Sequence, residues 1–149
     1  MLGSLGASEM ATQFSQAFPL LTDVAKKITS PQDDRYNCIA WAFEDNRRFW
    51  WPTSRAFWPM DARGKTTMEA FEDWFEADGW EETTSASVER GYKKVALYAL
   101  AGQPTHAARL LSSGRWTSKL GRNIDLSHDL PELNGPEYGQ VIKIFRKLI

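Results

Sequence analysis

Gly79 divides this chain into two patterns, and that division constrains the fold more than any single motif. Upstream of it, Met68, Phe71, Trp74 and Phe75 recur at helical spacing, while Glu69, Glu72, Asp73 and Glu76 fall mostly on the other side. Thr66 and Glu69 have the spacing of a capping box that opens this helix, and Gly79 supplies the stop after about Ala77. Downstream, the stretches Trp80 to Thr84, Tyr92 to Ala99, Thr105 to Leu110, Arg115 to Leu120 and Gln140 to Arg146 read as strands. Ser112-Ser113-Gly114 marks a hairpin turn. The polar stretch with Asn123, Asp125 and His128 reads as a connection to a short helical piece or loop at Leu130 to Leu133. Helices first and strands afterwards predict an α+β fold, with N-terminal helices packed on an antiparallel sheet of about four or five strands.

The chain has 149 residues, 42% of them hydrophobic and 25% charged, which is the size and composition of one globular domain. Residues 1–13, rich in Gly, Ser and Ala, read as a flexible leader, and 14–149 as a single α+β domain. Basic and acidic residues, 18 and 19, are interspersed, so the charge footprint of a nucleic-acid or anionic-lipid binder is absent. No apolar run approaches the roughly 20 residues of a membrane helix, and no signal-peptide pattern opens the chain. A cytoplasmic location is the expectation. One cysteine and two histidines, His106 and His128, exclude an internal disulfide and a structural zinc cluster, so neither metal nor cofactor is expected.

That one cysteine, Cys38, stands where another helix should begin. Asn37 is a strong N-cap residue, and Ile39-Ala40-Trp41-Ala42-Phe43 carries the helix toward a stop between Glu44 and Arg48. Backbone N–H groups without intrahelical partners surround such a position and favour thiolate over thiol. The competing reading is a core cysteine, because unpaired cysteines are among the most buried residue types.

A nucleophilic thiol requires a base, and His106, just after Pro104 at the start of a strand, could face a cleft mouth. A third group must hold the imidazole in the correct tautomer. If the hairpin turns about Ser113-Gly114, His106 lies opposite Gly121, and the facing strand offers Lys119 but no Asn, Asp, Gln or His. Asp125 is then the favoured orienter, with Asn123 and His128 as alternatives.

Phe49-Trp50-Trp51-Pro52 and Phe57-Trp58-Pro59 form an aromatic segment punctuated by proline, hence a loop. Trp50, Trp51 and Trp58, with Asn37, are the expected substrate-binding residues on one wall of a cleft. The same rings would equally suit a lid folded over the core.

Several motifs together, Tyr36-Asn37-Cys38-Ile39-Ala40-Trp41-Ala42, Lys94-Val95-Ala96-Leu97-Tyr98-Ala99, Pro104-Thr105-His106-Ala107-Ala108-Arg109 and Trp116-Thr117-Ser118-Lys119-Leu120-Gly121, resemble a bacterial domain family of unknown function. The similarity runs from roughly Phe18 to the C-terminus. A more distant likeness is to the papain-like NlpC-type and CHAP-type amidases and endopeptidases, which cut peptide bonds of bacterial cell walls. That resemblance implies the order helix-borne Cys, strand-borne His, polar residue, with Cys38 and His106 in the first two places. Thr105 departs from it, standing where a glycine often precedes the histidine. The leading expectation is a cysteine-dependent hydrolase of amide or peptide bonds, acting on a peptide or amide substrate. The alternative is a non-catalytic binding or interaction module that recognises a protein partner through the aromatic loop.

Overall fold

A computed structural model describes residues 14–120 and 124–149. The expected leader and Asn123 lie outside the described residues. After a helical stretch at 14–17 come α1 (Val24–Lys27), β1 (Ile28–Ser30), α2 (Cys38–Ala42) and α3 (Thr67–Ala77). The strands β2 (Glu81–Thr83), β3 (Tyr92–Leu100), β4 (Gln103–Leu110), β5 (Trp116–Lys119), β6 (Asp125–His128) and β7 (Gln140–Leu148) follow, with a 3-10 turn at Leu130–Leu133. These strands form one 7-stranded antiparallel sheet in the order β1-β6-β5-β4-β3-β7-β2. The fold is therefore mixed helix and strand but mostly sheet, and the expected four or five strands become seven. The additions are β1, recruited from the N-terminal half, and β6, whose polar residues read as a connection.

Strand β3 sits between β4 and β7 and is buried continuously from Lys94 to Ala99. Its alternation divides the core in two. Ala96 and Tyr98 face a layer with Phe18, Ala108, Trp116, Leu120, Leu126 and Tyr138. Val95 and Leu97 face another with Ile39, Phe71, Phe75, Trp80, Ala107 and Phe145. A strand buried on both faces shows no apolar/polar alternation, which is why its sequence is nearly unbroken apolar.

Local chemistry sets the element ends. Thr66 and Glu69 form the capping box of α3 reciprocally, and Phe75 on its buried face stacks on Phe145 of β7 at 3.9 Å. The β3–β4 hairpin turns at Ala101 and Gly102, both at positive φ (51 and 78), as a twist-matched two-residue turn requires. Helix α2 is shorter than expected: it stops at Ala42, and Glu44 at φ 63 turns the chain away. Among the described residues no helix is long and apolar enough to cross a membrane.

The loop before β7 is closed by reciprocal hydrogen bonds between Gly135 and Gly139 (3.0 and 2.8 Å) and presents Tyr138 to the core. Gly139 has φ +73, and a Cβ there would lie 2.0 Å from the Ala99 carbonyl oxygen. Gly139→Ala is expected to cost about 2–4 kcal/mol from overpacking and left-handed strain. Gly102→Ala, at similar φ but in open space, should cost about 1–2 kcal/mol. Urea denaturation of the two variants checks the difference, and equal costs would contradict the close approach at Gly139.

Candidate functional site

Asn37 organises the first half of the site. Its Oδ1 accepts from the Ala40 N–H (3.2 Å), capping α2, and from the Trp50 N–H (3.0 Å), while its Nδ2 donates to the Trp50 carbonyl (2.8 Å). The side chain thus clamps both backbone groups of Trp50 to the start of α2. These three hydrogen bonds give Asn37 a structural role.

Cys38 begins α2 as expected, but its side chain enters the core with Ile39, Ala40 and Ala107. Burial pushes the thiol up to about 11, and the N–H groups of Ala107, Ile39 and Cys38 itself oppose that shift without overcoming it. Desolvation of the thiolate thus works against activation at the N-terminus of this five-residue helix.

His106 is fully buried rather than at a cleft mouth. Its ring stacks on Tyr138 at 4.1 Å and meets Tyr98 edge-on at 5.3 Å. Its Nε2 lies 2.8 Å from Ser118 Oγ, and that oxygen lies 2.7 Å from His128 Nε2. His128 Nδ1 is 2.9 Å from the Asp129 carbonyl, which only accepts, so Nδ1 carries the proton and Nε2 of the neutral ring is bare. Ser118 then donates to His128 and accepts from His106 Nε2–H. The chain of bonds assigns His106 a bare lone pair on Nδ1, an atom that is buried without a hydrogen-bond partner. Burial holds both imidazoles neutral: His106 is driven well below the ordinary range, with His128 adding to the shift, and His128 is pushed down to about 4.

Cys38 and His106 pack with different sets of side chains around β4. Adjacent residues of a strand point to opposite faces, and Ala107 packs with Cys38 while His106 packs with Tyr98 and Tyr138. Among the described residues no hydrogen bond links Cys38 to His106. The sulfur sits beside the Ala107 N–H, the peptide group that follows His106, and near Tyr138, the ring on which His106 stacks.

Asp125, the favoured orienter, also lies on the Cys38 side, opposite Lys119 across the β5–β6 ladder. It accepts from the Tyr36 hydroxyl at 2.8 Å and from Ser30 Oγ, and its Oδ1 is buried without a partner. Burial raises its carboxyl, with the two hydroxyls pulling the other way. It does not touch His106. Of the two expected orienters among the described residues, Asp125 and His128, it is His128 that reaches His106, through Ser118, which the sequence reading missed. The cause is a one-residue difference in register: Arg109 pairs with Thr117, so the hairpin is centred on Ser113, and Ser118 rather than Lys119 shares the His106 face.

The aromatic segment folds largely inward. Trp50 is buried, stacked on Phe43 at 5.2 Å with Nε1 donating to Asp45 Oδ2 at 2.8 Å. Trp51 and Trp58 are half-buried against Phe71, at 5.5 and 4.9 Å. Open space borders the segment on both sides: a cavity of about 310 Å³ includes Trp50, Trp74 and Trp80 in its wall, and a shallower groove of about 390 Å³ runs along Pro52, Trp58 and Met60.

The buried relay makes stability pH-dependent. The folded value of His128 lies below its ordinary 6.5, so the unfolded chain takes up the proton first; the contribution is complete above about pH 6.5 and lost as pH falls toward 4. The loss is expected to be of order 3 kcal/mol, and His128→Gln should flatten that part of the profile in urea denaturation between pH 4 and 8. Ser118→Ala is expected to cost about 1–3 kcal/mol at pH 7 by leaving ring nitrogens unpaired, and an unchanged midpoint would contradict the relay.

No curated protein and no solved structure matches this chain. A family model does, over residues 27–146, a span that holds α2 with Cys38, the aromatic segment, α3 and nearly all of the sheet. The chain belongs to the family described as a domain of unknown function (DUF7689).

Proposed function

We propose that this protein is a non-catalytic binding module that recognises its ligand at the aromatic segment around Trp50. One observation carries the reading. Cys38 and His106 are both closed into the interior with no hydrogen bond between them, whereas the aromatic segment borders open space. A thiol raised to about 11 is protonated at pH 7, and the His106 nitrogen that would take its proton is buried without a hydrogen-bond partner. Asn37, by clamping Trp50 to α2, keeps the segment in a single conformation, which lowers the ordering cost of binding.

A second reading, a cysteine-dependent hydrolase of amide or peptide bonds on a papain-like core, rests on the bare Nδ1 of His106. A buried ring nitrogen without a partner is uncommon, and a lone pair whose tautomer is set by Ser118 and His128 is what a general base requires. In that mechanism Cys38 attacks the carbonyl, Nδ1 takes the thiol proton and returns it to the leaving amine. It requires the thiol to come within hydrogen-bond reach of that nitrogen.

The rate of Cys38 alkylation by iodoacetamide from pH 6 to 11 decides between them. The binding module predicts slow reaction below about pH 9, rising with an apparent pKa of about 11 and unchanged by His106→Ala. Rapid alkylation at pH 7 that His106→Ala slows would overturn this reading in favour of the hydrolase.

A further inference from the structure

The cavity behind Trp50 has a chemistry of its own. Phe43 and Trp50 from the segment after α2, Trp74 of α3 and Trp80 supply aromatic walls. Cations ring them: Lys93 on β3, Arg109 on β4 and Lys147 on β7. The acidic groups in the wall are Glu44 and Asp78. Glu44 is shared between Lys93 at 3.8 Å and Arg109 at 3.4 Å, and Asp78 is taken by Lys147 at 3.2 Å and by the Trp80 indole N–H at 3.0 Å. Positive charge therefore exceeds negative around an apolar floor.

Donors are also in surplus. Arg109 Nε and Trp74 Nε1 are both buried with no hydrogen-bond partner, and both residues line this cavity. Neither atom can accept, so an acceptor, from water or from a ligand, is what satisfies them. Native proteins rarely leave such N–H groups unpaired, and these sit where the wall is cationic. A carboxylate offers acceptors on both oxygens and suits the planar guanidinium of Arg109. Aromatic walls favour a ring in the remaining space, and about 310 Å³ is at the lower end of small-molecule sites.

We propose that this cavity binds an aromatic carboxylate, with its anionic end toward Arg109 and Trp74 and its ring against the Trp50 side. The proposal rests on the reading of the chain as a binding module and names its ligand class. The carboxylate could belong to a free acid or to the C-terminal aromatic residue of a peptide, two sources of one chemistry.

Isothermal titration of the full chain tests it with phenylacetate and N-acetylphenylalanine, each beside its neutral amide, and with acetate alone. Saturable binding of at least one aromatic acid is expected, with its amide and acetate at least tenfold weaker. The tighter of the two acids identifies the source. Arg109→Gln should weaken that acid about tenfold or more, and Trp74→Phe, which keeps a ring but removes the N–H, several-fold, with circular dichroism confirming that both variants are folded. No binding of either acid, equal binding of acid and amide, or affinity unchanged in both variants would overturn the proposal. Its failure is distinct from that of the binding-module reading, which the reactivity of Cys38 decides without reference to this cavity.

Discussion

The architecture depends on the burial of β3 on both of its faces. A slip of one residue turns every side chain of a strand to the other face, and here it would exchange Tyr98 with Leu97 and place each in the wrong core. Everything bearing on function inherits this constraint. Residues adjacent along β4 or β5 face different environments, so His106 and Ala107, or Ser118 and Lys119, belong to separate chemical neighbourhoods although each pair is joined by one peptide bond.

Each neighbourhood carries its own buried polar system. On one face, His106, Ser118 and His128 form a hydrogen-bonded chain anchored on the Asp129 carbonyl. On the other, Asp125 gathers the hydroxyls of Tyr36 and Ser30 and faces Lys119, whose ammonium lies 5.1 Å from the Tyr36 ring centroid. Burial dominates both. It holds the imidazoles neutral, raises the Asp125 carboxyl and the Cys38 thiol, and lowers the Lys119 ammonium. These polar groups specify which strands pair and in what register, since an alternative pairing would leave them unsatisfied. That accounts for a strand such as β6, where Asp125, Ser127 and His128 stand in a sheet interior.

The aromatic segment occupies an intermediate position between core and surface. Asn37 ties it to α2, Phe43 and Phe71 receive its rings, and Asp45 takes the Trp50 indole N–H. The two roles set against each other for this segment, cleft wall and lid, are thus divided among its residues: Trp50 is mainly core, while Trp51 and Trp58 keep partial exposure.

The amphipathic spacing and capping box of α3, the N-cap at Asn37, the hairpin turn around Ser113 and the apolar run of β3 were all legible in the sequence, because each is set by residues within a few positions of one another. Ile28 to Ser30 reads as a short extended piece, but its place in the sheet as β1, and β6 altogether, were not legible, since a short or polar strand acquires its identity from the neighbour it pairs with. The sequence likewise placed Cys38 at a helix start and His106 on a strand. Which face each side chain takes was decided by the tertiary structure, through a register that differs by a single residue from the one inferred from the turn. Burial was also a tertiary decision: a helix N-terminus favours a thiolate only where water or a counter-charge remains, and packing α2 against β4 removed the water.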